Sequence, residues 1–309
     1  MKSGVAFCFP GQGSLESGMG RAIAEAVPEA MDVFERGSEA AGLDLVHLCF
    51  EAPESELVQT EVQQPALVAT SLAVLAAIKA RGIKPDFVVG HSVGEFAALA
   101  SAGALKVEEA IELVRERGLA MAEAAKTNPG SMAAILGLDD EVVERICRRI
   151  LNVWPANYNC PGQIVVSGEN LAVDEACEAA EQEGARRAVK LRVSGAFHSP
   201  LVARAADRLR PALDRVKFAE PSAPFMSTVT ARVEDAKRMG PLLVEQLTAP
   251  VRFTQSAQAL VREGVHTFVE VGPGNVLSGL IKRIDRNAKT ISVSTPEALA
   301  KLEETLSSA

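Results

Sequence analysis

The sequence predicts an α/β fold: a mainly parallel sheet flanked by helices, with a small ferredoxin-like lobe inserted into it. Two observations carry this expectation. Short apolar runs of strand length alternate with longer helical patterns at both ends of the chain, as when strands are joined by helical crossovers. Between them the rhythm becomes strand, helix, strand, strand, helix, strand, the order of a split βαβ unit.

Val5 to Phe9 is the first strand; it is too short for the core of an export signal and runs directly into Pro10-Gly11-Gln12-Gly13. A helix over Pro65 to Lys79 comes next, with Pro65 suited to a first helical position and Gly82 to a helix end. Its apolar stretch, Pro65 to Ile78, is interrupted by Thr70 and Ser71 and falls short of the ~20 residues that span a bilayer, so it reads as a buried helix. Asp86 to Val89 has a buried-strand pattern, and Val93 to Ala102 and Val107 to Ala124 have helical ones. Ser131 to Leu138, Asp139 to Ile150, Val153 to Asn157, Gln163 to Ser167, Ala172 to Glu183 and Ala188 to Val193 compose the inserted lobe. Turn residues at Thr127-Asn128-Pro129-Gly130 and Ser194-Gly195 set its bounds at 130–195, leaving 1–129 and 196–309 to the large domain. The first rhythm then resumes with strands at Ala223 to Ser227 and Thr267 to Val271, and an amphipathic helix from Asn275 to about Ile284.

A chain of 309 residues can bury a large core and carry a second lobe. Its net charge of -8 argues against nucleic acid or an anionic membrane as partner, since both need a basic footprint. The five cysteines are odd in number, widely spaced and form no CxxC pair, which suits neither a disulfide framework nor zinc. A cytoplasmic monomer without metal is expected.

Gly90-His91-Ser92-Val93-Gly94 is a GxSxG pentapeptide, weak alone and stronger between a strand and a helix, where a nucleophile elbow belongs. Its glycines would let the backbone turn sharply and expose the Ser92 hydroxyl at a helix N-terminus, where backbone N–H groups can meet an oxyanion. The plainer alternative is a turn with Ser92 as N-cap. A serine nucleophile needs a base, and only His47, His91, His198 and His266 exist. His91 adjoins Ser92, where side chains diverge; His47 and His266 read as structural. His198 lies in a small-residue loop where the chain leaves the inserted lobe, a common place for a cleft. On the helix from Val107, Arg117 falls inside the apolar stripe of Ala110, Ile111, Val114, Gly118 and Met121. An inward guanidinium needs an anion, either a buried acid or a substrate carboxylate. Pro10-Gly11-Gln12-Gly13-Ser14 fits neither a dinucleotide fingerprint nor a P-loop. It is a plain turn or a pocket wall facing Ser92.

Together with Gln64-Pro65-Ala66-Leu67, Gly195-Ala196-Phe197-His198-Ser199 and Glu270-Val271-Gly272-Pro273-Gly274, these segments resemble the malonyl-coenzyme A:acyl carrier protein transacylases over nearly the whole chain. The resemblance implies an α/β-hydrolase-like large domain around the ferredoxin-like lobe, and a role in fatty acid synthesis. It implies Ser92 as nucleophile, His198 as base, the N–H groups of Gln12 and Val93 as oxyanion hole, and Arg117 as clamp for the malonyl carboxylate. It further places Gln12, His91, Phe197 and Asn159 along the substrate, and Gln246 where a backbone carbonyl orients the histidine. Malonyl-coenzyme A and the phosphopantetheine of an acyl carrier protein would be substrates, with no cofactor.

Overall fold

The computed structural model describes residues 4–307. β1 (Gly4–Phe9) has parallel neighbours on both sides, and its apolar run is buried to the end because helices cover both faces. Four helices follow: α1 (Arg21–Ala26), α2 (Pro28–Ala41), α3 (Leu45–Phe50) and α4 (Glu54–Leu57).

α5 (Thr60–Ala80) starts five residues before the position that Pro65 suggested, so Pro65 lies inside the helix. A proline there deprives the Glu61 carbonyl of its donor one turn on. The Arg115 guanidinium takes that place, its Nη1 donating to Glu61 O at 2.6 Å. By length and composition α5 could cross a membrane, yet 78% of its most apolar 18-residue window is buried within the protein. It is a core helix. Its end is as expected, with Gly82 in the left-handed region at φ 71.

β2 (Phe87–Gly90), α6 (Gly94–Ser101) and α7 (Val107–Thr127) come next. α7 lies close against the start of α5 because residue 118 is glycine; a Cβ there would stand 2.7 Å from Glu61 Cα.

A second sheet holds β3 (Ser131–Leu136), β4 (Val153–Cys160), β5 (Gln163–Gly168) and β6 (Arg187–Lys190), antiparallel throughout in the order β4-β5-β3-β6. α8 (Asp140–Arg149) and α9 (Asn170–Gln182) pack on it through a separate apolar cluster that includes Ile135, Val143, Ile146 and Val173. β4 also reaches the large sheet's side of the molecule, where Tyr158 N–H donates to Val251 O and Val251 N–H to Ala156 O, each at 2.8 Å.

The chain finishes with α10 (Ala203–Asp214), β7 (Phe225–Ser227), β8 (Arg232–Glu234), α11 (Ala236–Glu245), α12 (Phe253–Arg262), β9 (Val265–Val271), α13 (Val276–Ile284), β10 (Lys289–Val293) and α14 (Pro296–Ser307). The first sheet runs β10-β9-β1-β2-β7-β8, parallel except for the edge pair β7–β8. Parallel strands put their carboxyl ends on one side, and the loops after β1, β2 and β9 gather there. A Cβ on Gly11 would sit 2.5 Å from His91 O, and one on Gly272 would sit 3.1 Å from the Pro10 ring. The glycines of all three loops therefore allow them to touch.

Candidate active site

Ser92 occupies the turn between β2 and α6 with φ 52, a left-handed conformation that costs a non-glycine residue roughly 1–3 kcal/mol. The turn exists only because of its glycines. A Cβ on Gly90 would lie 2.1 Å from the Gly94 carbonyl carbon, and one on Gly94 would lie 2.2 Å from Phe9 O. Neighbouring backbones fill the space that side chains would need.

His198, also left-handed at φ 58, brings its Nε2 to 2.8 Å from Ser92 Oγ. Its Nδ1 faces two acceptor-only groups, the carbonyls of Gln246 at 2.9 Å and Ala249 at 3.2 Å. The proton of a neutral imidazole must then sit on Nδ1, leaving the Nε2 lone pair for the Ser92 hydroxyl. Burial and the positive charge of Arg117 push His198 down to about 3, so the ring is neutral at ordinary pH.

Arg117 is fully buried. Its three hydrogen bonds all go to uncharged oxygens: Nη1 donates to Gln64 Oε1 at 2.6 Å, while Nη2 donates to Ser92 Oγ and Gln246 Oε1, both at 3.0 Å. Its Nε has no partner. Burial brings Arg117 down to about 9 and the Glu95 charge acts in the opposite direction, so the guanidinium stays charged. A buried cation thus touches the hydroxyl oxygen with a donor to spare. Of the two anions the sequence left open, a direct buried acid is absent from its hydrogen bonds.

The remaining candidates divide. His91 does not approach Ser92 Oγ; its Nε2 bonds Asn159 Oδ1 on β4 at 2.9 Å, and its ring packs 5.6 Å from that of Phe253. These two candidates therefore join the inserted strand to the elbow. The Gln12 side chain donates to Thr60 Oγ1 at 3.1 Å and Gln63 Oε1 at 2.6 Å, fixing its loop over the start of α5. The N–H groups of Gln12 and Val93 are unpaired among the described residues, on two loops in contact. Phe197 is buried beside His198, its ring 3.3 Å from where a Cβ on Gly195 would stand. His47 and His266 are exposed, the former on α3 near Glu51 and the latter near the amino end of β9, away from the site. Reasoning from sequence alone missed the side-chain roles of Gln64 and Gln246 and the buried acid Glu95, which Gln246 contacts. Glu95 did leave a signal: it is the one charge in the apolar helix Gly94–Ser101.

A hydroxyl placed this way can pass its proton to His198 as it attacks a carbonyl, with the acyl group lying near a buried cation. Comparison with known proteins matches residues 6–300 to the family model described as acyl transferase domain. The chain is 46% identical over 309 residues to a malonyl CoA-acyl carrier protein transacylase of Bacillus subtilis, covering 98% of each chain. It is similar to the solved malonyl CoA-acyl carrier protein transacylase of Coxiella burnetii, with a TM-score of 0.96, 38% identity and 98% of each chain covered. A malonyl-transacylase solved in complex with its type II PKS acyl-carrier protein gives a TM-score of 0.95 and 38% identity, over 98% of this chain and 100% of that one.

Proposed function

The chain belongs to the malonyl CoA-acyl carrier protein transacylases of the acyl transferase domain family, and we propose that its Ser92 carries malonyl from coenzyme A to an acyl carrier protein thiol for fatty acid synthesis. The observation that carries this reading is the buried Arg117 guanidinium, 3.0 Å from Ser92 Oγ and with no carboxylate among its hydrogen-bond partners.

Ser92 Oγ attacks the thioester carbonyl and its proton moves to His198 Nε2. The N–H groups of Val93 and Gln12 receive the oxyanion. The C–S bond breaks and the coenzyme A thiolate takes the proton from His198. In the second half the phosphopantetheine thiol gives its proton to His198 and attacks the Ser92 ester. The C–O bond breaks, the proton returns to Oγ, and malonyl leaves on the new thiol. Gln246 contributes its carbonyl to hold the His198 tautomer. Malonyl-coenzyme A and phosphopantetheine are substrates here, and the reaction calls for no cofactor or metal.

Arg117 acts on both binding and chemistry. Its charge depresses His198. A substrate carboxylate seated on the guanidinium offsets that charge and makes His198 a stronger base once a malonyl group is in place. Gln12, His91, Phe197 and Asn159 line the acyl site in this reading. With Ser92 only 7% and His198 5% exposed, bulk water has little access to the ester, which favours transfer over hydrolysis.

We read the large parallel-rich domain, 1–129 and 196–309, as hydrolase-like and the lobe at 130–195 as ferredoxin-like. The antiparallel order β4-β5-β3-β6 supports the second assignment. The enzyme acts as a cytoplasmic monomer, which five free cysteines fit. Intact mass after mixing with malonyl-coenzyme A tests the reading: a malonyl adduct is expected, and Ser92→Ala should lose it. No adduct on the wild type, or one that survives Ser92→Ala, would refute it.

A further inference from the structure

Glu95 is a buried ionisable group of this cluster that the transfer chemistry does not use. It stands three residues beyond Ser92, near the start of an otherwise apolar helix, and is fully buried. Such burial is costly for a carboxylate unless its oxygens are satisfied. Both are. Oε1 accepts from Thr228 N–H at 2.6 Å and Thr228 Oγ1 at 2.9 Å, and Oε2 accepts from Gln246 Nε2.

The consequence lies in the direction of the Gln246 amide. An amide can present either its oxygen or its NH2 to a neighbour, whereas an ionised carboxylate only accepts. Glu95 therefore requires the Gln246 NH2 to face it, and the same Nε2 also donates to Ser92 O at 3.0 Å. The amide oxygen is left pointing at Arg117 Nη2, 3.0 Å away. Turned the other way, the amide would oppose N–H to N–H and the guanidinium would lose one of its anchors beside Ser92.

We infer that Glu95 is a positioning residue for the substrate-carboxylate clamp: acting through the Gln246 amide, it fixes the Arg117 guanidinium beside Ser92. This rests on the role of Arg117 proposed above. The relay also explains how a buried counter-charge can coexist with a vacant donor. A direct Glu–Arg pair would occupy the guanidinium, but an interposed amide keeps the charges in one low-dielectric site and leaves Arg117 Nε unpaired.

Burial raises the Glu95 carboxyl to about 7, against its hydrogen bonds from Thr228 and Gln246 and the charge of Arg117. Two of the ionisable groups around it, Arg117 and His198, lie outside the range of about pH 6 to 8. Arg117 on α7 is at about 9, His198 in the loop after β6 is at about 3, and burial holds His91 in the elbow below its ordinary value. Loss of the Glu95 proton in that window should tighten the hold on the amide orientation that the clamp needs, which Ser92 O also favours.

Glu95→Gln tests this, because it keeps the shape and removes the acceptor-only group. Malonyl and acetyl transfer are measured side by side from their coenzyme A thioesters, and nitrogen-15 NMR follows the Arg117 guanidinium without substrate. The KM for malonyl-coenzyme A should rise about tenfold, the effect of weakening one hydrogen bond to a charged group, and that for acetyl-coenzyme A much less. The Arg117 Nη signals should be separate in the wild type and merge in the variant. Equal losses for both thioesters, or unchanged Arg117 signals, would overturn the inference. If the wild type transfers no malonyl, the proposed function fails, and the guanidinium signals still decide whether Glu95 positions Arg117. If Glu95→Gln does not fold, the wild type serves. Its ratio of malonyl to acetyl KM should rise as pH falls from about 8 to 6, with the phosphates common to both thioesters cancelling. A ratio independent of pH refutes the inference.

Discussion

Replacing Arg117 with alanine removes the buried cation while sparing the Ser92–His198 pair. In the structure the guanidinium has an unpaired Nε and an Nη2 shared between Ser92 Oγ and Gln246 Oε1, so a carboxylate arriving there gains charge-assisted hydrogen bonds in a dry site. Two such bonds at about 1.5–3 kcal/mol each give roughly 3–6 kcal/mol, or about two to four orders of magnitude in kcat/KM for malonyl-coenzyme A. Acetyl-coenzyme A has no carboxylate to lose. Without Arg117 the downward push on His198 weakens, so acetyl transfer should hold or rise severalfold. The assay is kcat/KM for both thioesters with one holo acyl carrier protein, alongside Ser92 labelling by a neutral fluorophosphonate to confirm an intact nucleophile. Malonyl transfer within about fivefold of wild type, with no relative gain for acetyl, would refute the clamp.

Three further outcomes follow from the same geometry. Because His198 sits at about 3, fluorophosphonate labelling of Ser92 should stay level from about pH 8 to 5, and an acid limb near the ordinary histidine value of about 6.5 would contradict the buried, Arg117-facing base. Glu95 at about 7 in the folded state against 4.5 for the free group means that the folded protein holds the extra proton between those values; stability should therefore fall as pH rises from 4.5 through 7, by on the order of 3 kcal/mol. Urea unfolding at several pH values should show this slope in the wild type and lose it in Glu95→Gln; equal slopes would count against the assignment. Arg115→Ala should cost about 1–2 kcal/mol by leaving the Glu61 carbonyl without a donor, and less in a Pro65→Ala background where the restored N–H can reach it. A double-mutant cycle measures the coupling, and none would mean that Arg115 does not stand in for the missing N–H.

The Ser92 turn was legible because its requirement is steric. Gly90 and Gly94 are written in the sequence, and the backbones that exclude a Cβ at each are its immediate neighbours in the fold. Arg117 was legible for another reason: a charge inside an apolar helical stripe violates periodicity and needs a cause. The same test applied to Glu95 would have found it. The side-chain contacts of Gln64 and Gln246 with Arg117 could not be read, because they form across 53 and 129 residues of chain, and an amide carries neither charge nor periodic signal. Pro65 misled because the local rule for a helix start was overridden by a donor from another helix. Of the unread early helices, α3 and α4 have six and four residues, too few to show a period, whereas α2 offered Pro28 at its start and Gly42 at its end.

In the proposed reaction Ser92 holds malonyl between two thiols. The most direct test isolates the acyl-enzyme after reaction with malonyl-coenzyme A, removes free thioester, and divides the sample between buffer and holo acyl carrier protein. Mass measured over time should show the adduct persisting in buffer and moving to the carrier's phosphopantetheine within the first turnover. An adduct that leaves at the same rate in both, releasing free malonate, would make this chain a hydrolase and refute transfer between thiols.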